Sequence, residues 1–155
     1  MAIRNIVKEG DPILRTVCRP VENFDKKLAQ LLDDMKETLE KAGGVGLAAP
    51  QVGIRKRIFI MMIDEDYLEL INPEIVETSG KQRMVEGCLS CPDKWGYVTR
   101  PENVKVRARN RKGEVLEYEF TGLAAECACH ENDHLDGKLF VDIVEEYVRP
   151  EEMKE

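Results

Sequence analysis

The sequence predicts an α+β fold in which antiparallel strands pack around a C-terminal helix, with a second amphipathic helix near the N-terminus. Three patterns carry that expectation. Apolar residues recur at helical spacing over residues 25–41, alternate with charged residues over 103–120, and return to helical spacing over 123–135. At 155 residues the chain can bury one core of its own, so a single domain over residues 1–155 is the default. No linker, repeat or low-complexity tract divides it, and only a short acidic tail from about residue 149 reads as frayed.

The N-terminal helix is marked by Leu28, Leu31, Leu32, Met35 and Leu39, with Asp25 where an N-cap belongs and Gly43 and Gly44 as its stop. The following "GVGLAAPQVG" is too rich in glycine, alanine and proline for an ordinary strand and reads as a loop or irregular edge strand. "RIFIMMI" is a buried strand by composition, and "YLELI" is another, closed by the turn signal Asn72-Pro73. "VEGCLSCP" reads as a compact, turn-rich segment. "NVKVRARN" and "EVLEYEF" alternate apolar residues with basic and acidic ones about an "RKG" turn, which predicts a hairpin with opposite charges on its wet face. After Gly122, Leu123, Ala124, Cys127, His130, Glu131, His134 and Leu135 form the last helix, stopped by Gly137.

Composition narrows the classes of partner. A formal charge of −7 without a Lys/Arg cluster argues against broad binding to nucleic acid or anionic lipid. No apolar run approaches the roughly 18 residues of a membrane span, and the N-terminus has neither signal-peptide nor transit-peptide character, which points to the cytoplasm. Five cysteines, an odd number, read as reduced thiols and possible metal ligands.

The only two histidines, His130 and His134, stand four apart on the last helix, so both imidazoles can converge on one ion. Glu131 is then placed to take a proton from water on that ion. This His-Glu-x-x-His arrangement is that of metallohydrolases, although two surface histidines of an amphipathic helix would give the same spacing. A catalytic site normally has three protein ligands and an open position. A carboxylate or a thiol must supply the third, and Cys88 and Cys91 in the turn-rich segment are the obvious donors.

Together, "GVGLAAPQ" at 44–51, "EGCLS" at 86–90 and "HENDHLDG" at 130–137 resemble, in that order, the three motifs of peptide deformylases. The similarity runs from about residue 3 to about residue 143. It implies hydrolysis of the N-formyl group from the formylmethionine of newly synthesised polypeptides, with release of formate. Cys88, His130 and His134 would ligate the metal, commonly Fe(II) in the family with Zn, Ni or Co able to substitute, and the donor set suits such ions. Glu131 would be general base and then acid, while the Gln51 side-chain amide and the Leu89 backbone N–H would stabilise the oxyanion. Gly44 and Gly46 would leave room for substrate backbone, and Val45, Leu123, Cys127 and Met84 would supply an apolar pocket. Glu86 would fix the cysteine loop. Asp133 would hold a ligand histidine's other ring nitrogen or lie solvated. N-formylmethionyl peptides and nascent chains at the ribosome are the implied partners, reached without the basic C-terminal docking helix that some relatives carry.

Two positions depart from the family. Cys129 stands where glutamine is usual, and a packed, inert thiol is expected there, since a fourth ligand would close the water site. Glu126 stands where relatives have an aliphatic residue or an arginine, and it is expected to reach outward to solvent. Pointing inward, it would burden an apolar pocket and weaken methionine preference. The competing reading from another class is a non-catalytic zinc module using Cys88, Cys91, Cys127, Cys129 and His130. A zinc endopeptidase or a CxxC redox enzyme leaves more of the motifs without a duty.

Overall fold

The computed structural model describes residues 2–149 and 151, so most of the acidic tail lies outside the described residues. Helix α1 spans Lys26–Ala42, with the Asp25 carboxylate accepting from the Leu28 N–H at its start and Gly43 in the left-handed region at its end. Strands β1 (Gly46–Ala48), β2 (Ile58–Ile63), β3 (Asp66–Ser79), β6 (Asn103–Arg109) and β7 (Val115–Thr121) form an antiparallel sheet in the order β1-β2-β3-β6-β7. Strands β4 (Gln82–Cys88), β5 (Cys91–Arg100) and β8 (Glu146–Tyr147) form a second sheet. Helix α2 spans Leu123–Leu135.

Strand β2 shows why its sequence reads as an unbroken apolar run. Ile58 and Ile60 face α1 and pack with Leu28, Leu32, Met35 and Leu39. Phe59 and Met61 face the other way and pack with Ala125, Ala128 and Leu135 of α2. With helices on both faces, alternation disappears because neither face is wet. A third cluster, Leu14, Cys91, Val98, Leu139 and Phe140, joins the second sheet to the N-terminal segment and to the segment that follows α2. Among the described residues no helix is long and apolar enough to cross a membrane.

The α+β expectation and both helices agree with the structure, and the β6–β7 hairpin pairs Lys105 with Glu119 and Arg107 with Glu117 as its charge pattern predicts. Two strand expectations need correction. "VEGCLSCP", expected as a turn-rich segment, is mostly strand: the turn is confined to Leu89 and Ser90 between β4 and β5, with Cys88 opposite Cys91. The third strand does not stop at Asn72-Pro73 but continues to Ser79 through a register shift between Ile71 and Glu74. Proline removes one ladder donor, and the shift absorbs it. Asn72, at φ 52°, anchors the bulge by accepting from the Val21 N–H at 2.7 Å and donating to the Val21 carbonyl at 2.9 Å.

This anchor is testable by urea denaturation. Asn72→Ala is expected to lower stability by about 2 kcal/mol, through two lost hydrogen bonds and a left-handed backbone that alanine disfavours. Asn72→Gly should recover part of that loss, because glycine restores the backbone freedom but not the bonds.

Candidate metal centre

Helix α2 passes through the interior, and every residue from Ala125 to Glu131 is buried. One stripe of it carries Glu126, His130 and His134 at four-residue spacing, so these side chains stack along one face. Burying such groups is unfavourable unless each finds a partner. His130 finds Glu86, whose Oε1 lies 2.8 Å from its Nδ1. Glu86 in turn accepts from Arg100 Nε at 2.8 Å and from Nη2 at 3.0 Å, a two-pronged pair in which both residues are almost wholly buried. The third guanidinium nitrogen donates to Asp133 at 2.7 Å.

With Nδ1 of His130 engaged, its Nε2 is left for a ligand. Cys88, at the end of β4, brings its Sγ to 3.4 Å from His134 Nε2. Ligand atoms of Cys88, His130 and His134 all lie within 4.8 Å of one another, close enough to hold one metal ion. The electrostatics suit a cation there. The Cys91 thiol and burial push the Cys88 thiol up, so a thiolate forms when positive charge is bound beside it. Burial holds His134 well below its ordinary value and therefore neutral, the ligating form. For His130 burial acts in the same direction, but the Glu86 carboxylate overrides it and raises the ring to about 9. The same contact, with the Arg100 pair, brings Glu86 down to about 2 against its own burial.

These groups face a cleft lined by Gly44, Val45, Gly46, Gln51, Leu89, Leu123, Cys127 and Glu131, with Val85, Pro92 and Trp95 on the hairpin side. Glu131 is buried, its Oε1 has no protein partner, and burial pushes its carboxyl up to about 7. Gly46 is required where it stands, since a Cβ there would sit 2.7 Å from both Cys127 Sγ and Glu131 Oε2. Gln51 is fixed by the Ala48 N–H donating to its Oε1 at 2.9 Å, and its Nε2 reaches Ser90 Oγ at 3.1 Å and Cys88 Sγ at 3.6 Å.

Four expectations change. Glu126 does not reach outward: it is 8% exposed, lines the cleft, and burial together with Glu86 raises it to about 8. Asp133 touches neither ligand histidine's ring nitrogen and instead pairs with Arg100; the partner of His130 is Glu86. Met84 does not line the cleft, whereas the next five residues, Val85 to Leu89, all do. The five-ligand zinc module is not assembled either. Among the described residues no converging group includes Cys91, Cys127 or Cys129, and Cys129 is a buried thiol pushed up to about 11 by desolvation. A second group, Glu86, Glu126 and His130, does converge, but Arg100 already supplies the positive charge for Glu86.

Arg100, Trp95 and Val85 were not anticipated from sequence. Arg100 carried a usable signal: it stands two residues after Val98 on one strand, so it shares the inward face of a buried valine. Glu86→Ala is expected to destabilise the fold by about 3 kcal/mol or more, because it leaves a buried guanidinium and an imidazole without their carboxylate. Combining Glu86→Leu with Arg100→Met should cost less than Glu86→Ala alone, as measured by guanidinium denaturation of the three proteins.

The family model described as polypeptide deformylase matches residues 3–149. The chain is 51% identical over 155 residues to the peptide deformylase of Caldicellulosiruptor bescii, covering 100% of this chain and 93% of that one. It is 56% identical over 142 residues to peptide deformylase 1 of Clostridium acetobutylicum, covering 92% and 95% respectively. The crystal structure of the peptide deformylase from Thermotoga maritima superposes with a TM-score of 0.91 at 41% identity, over 93% of this chain and 99% of that one. With the fold, the length and the ordered motifs in agreement, the chain belongs to the peptide deformylase family of hydrolases.

Proposed function

We propose that this protein is a metal-dependent deformylase that hydrolyses the N-formyl group of the N-terminal formylmethionine of newly synthesised polypeptides and releases formate. The observation that carries this reading is the convergence of Cys88, His130 and His134 within 4.8 Å, beside a buried Glu131 that has an unpartnered oxygen. One thiolate and two imidazoles suit a borderline-soft divalent ion, and we assign Fe(II) as the physiological one, with Zn, Ni or Co able to replace it. Such an ion, when bound, supplies Lewis-acid polarisation of the formyl carbonyl and acidifies a water.

The remaining work falls to the chain. Glu131 takes the proton of the attacking water at its free Oε1 and passes it to the departing amine nitrogen. A carboxyl held near neutrality suits both directions of that transfer. The Gln51 amide and the Leu89 backbone N–H stabilise the charge developing on the formyl oxygen. Strand β1 is an edge of its sheet, so the substrate backbone can add beside Gly44, Val45 and Gly46 as a further strand. Leu123, Cys127, Leu89 and Val45 receive the methionine side chain. Glu86, with Arg100, keeps His130 oriented rather than touching substrate. One catalytic domain carries all of these parts and acts in the cytoplasm on nascent chains leaving the ribosome.

Formate release from formyl-Met-Ala-Ser by the anaerobically Fe(II)-loaded protein tests the reading. Glu131→Ala is expected to lower kcat by about 10²–10⁴-fold while metal content is retained. Cys91→Ser and Cys129→Ser should keep both metal and activity. Absence of formate from the intact, loaded protein would overturn the reading.

A further inference from the structure

Glu126 is the one cleft-lining carboxyl without a duty in the reaction as derived above. Glu86 is taken up by His130 and Arg100, and Glu131 moves the proton. Glu126 stands on α2 one turn before His130, between Leu123 and Cys127 in the wall that receives the first side chain. It interrupts the apolar pair Leu123 and Cys127, its carboxylate converges with Glu86 and His130 within 4.8 Å, and at 8% exposure it is withdrawn from bulk water.

A buried polar group in a substrate pocket discriminates in a direction fixed by its chemistry. Whether ionised or protonated, a carboxyl presents an oxygen that accepts a hydrogen bond. A hydrocarbon tip packed against it displaces water and returns no bond, whereas a tip bearing an N–H restores one. We propose that Glu126 is a specificity-determining residue that opens the cleft to N-formyl peptides whose first side chain has about the length of methionine and ends in a hydrogen-bond donor. The assignment rests on the deformylase reading and concerns substrate choice within it. In this assignment the carboxyl meets the first side chain rather than the formyl group, so its influence falls on the ranking of substrates.

The test compares kcat/KM for formyl-Gln-Ala-Ser with that for formyl-norleucyl-Ala-Ser, which differ in whether the tip carries an amide or only hydrocarbon. In Glu126→Leu the ratio of the first to the second should fall by about tenfold or more. Glu126→Gln, which keeps a hydrogen-bonding oxygen at the same reach, should hold the ratio within about threefold of the parent protein. If Glu126→Leu does not fold, Glu126→Ala carries the same expectation, because it also removes the carboxyl. A ratio unmoved in the folded variant that lacks the carboxyl overturns the assignment while leaving the deformylase reading in place. Failure of the parent protein to release formate from formyl-Met-Ala-Ser overturns the reading, and the assignment with it.

Discussion

The paired contact of Arg100 with Glu86 is the constraint on which the site depends. Helix α2 carries its chemistry on buried positions, and a histidine there must be held in one orientation by something itself fixed. Glu86 does this at 2.8 Å from His130 Nδ1, and Arg100 fixes Glu86 through two of its three guanidinium nitrogens. The third nitrogen ties Asp133, so the chain of contacts returns to α2 one turn beyond its middle. Strands β4 and β5 are thereby bound to the helix by charge as well as by packing. Cys88, two residues after Glu86 on the same strand, is carried into place against His134 by that contact.

Other features follow from the need to bring a strand edge, a hairpin turn and a helix to one point. Gly46 lets β1 lie directly against Glu131, which any side chain would prevent. The two-residue turn between Cys88 and Cys91 puts Leu89 at the cleft and leaves Cys91 buried. The Phe140 ring lies against His130, with centroids 6.0 Å apart, and closes the site from the side of the C-terminal segment. At the floor of the cleft Glu86, His130 and Arg100 are paired, whereas Glu131 Oε1 and His134 Nδ1 have no protein partner.

Much of this was legible in the sequence where local pattern and final environment agree. Helix α1 has a cap, an apolar stripe and a glycine stop, and the β6–β7 hairpin shows its alternation because one of its faces is wet. The proposed ligands His130 and His134, with Glu131, stood out because a metal site demands particular residue types at particular spacings, while Cys88 was singled out from Cys91 only by the family resemblance. The strands from Gln82 to Arg100 were not readable: "CPDKWGYVTR" has a proline, a glycine and charges where a strand signal needs alternation, and its pairing with β4 supplies the order instead. Glu126 was misplaced for a related reason. A glutamate on a helix ordinarily faces water, and nothing local announces that this helix is buried on all sides at that point. For Asp133 the sequence left a histidine contact or solvent open, and neither names its partner, because Arg100, distant in sequence, reaches it in space.

The central claim is that one thiolate and two imidazoles hold the metal and leave a position open. X-ray absorption at the zinc edge of the zinc-loaded protein measures this directly. The account predicts one sulfur at about 2.3 Å and two nitrogens at about 2.0 Å, with the remaining ligand a light atom from solvent. A shell of three or four sulfurs would contradict it, as would a shell with none.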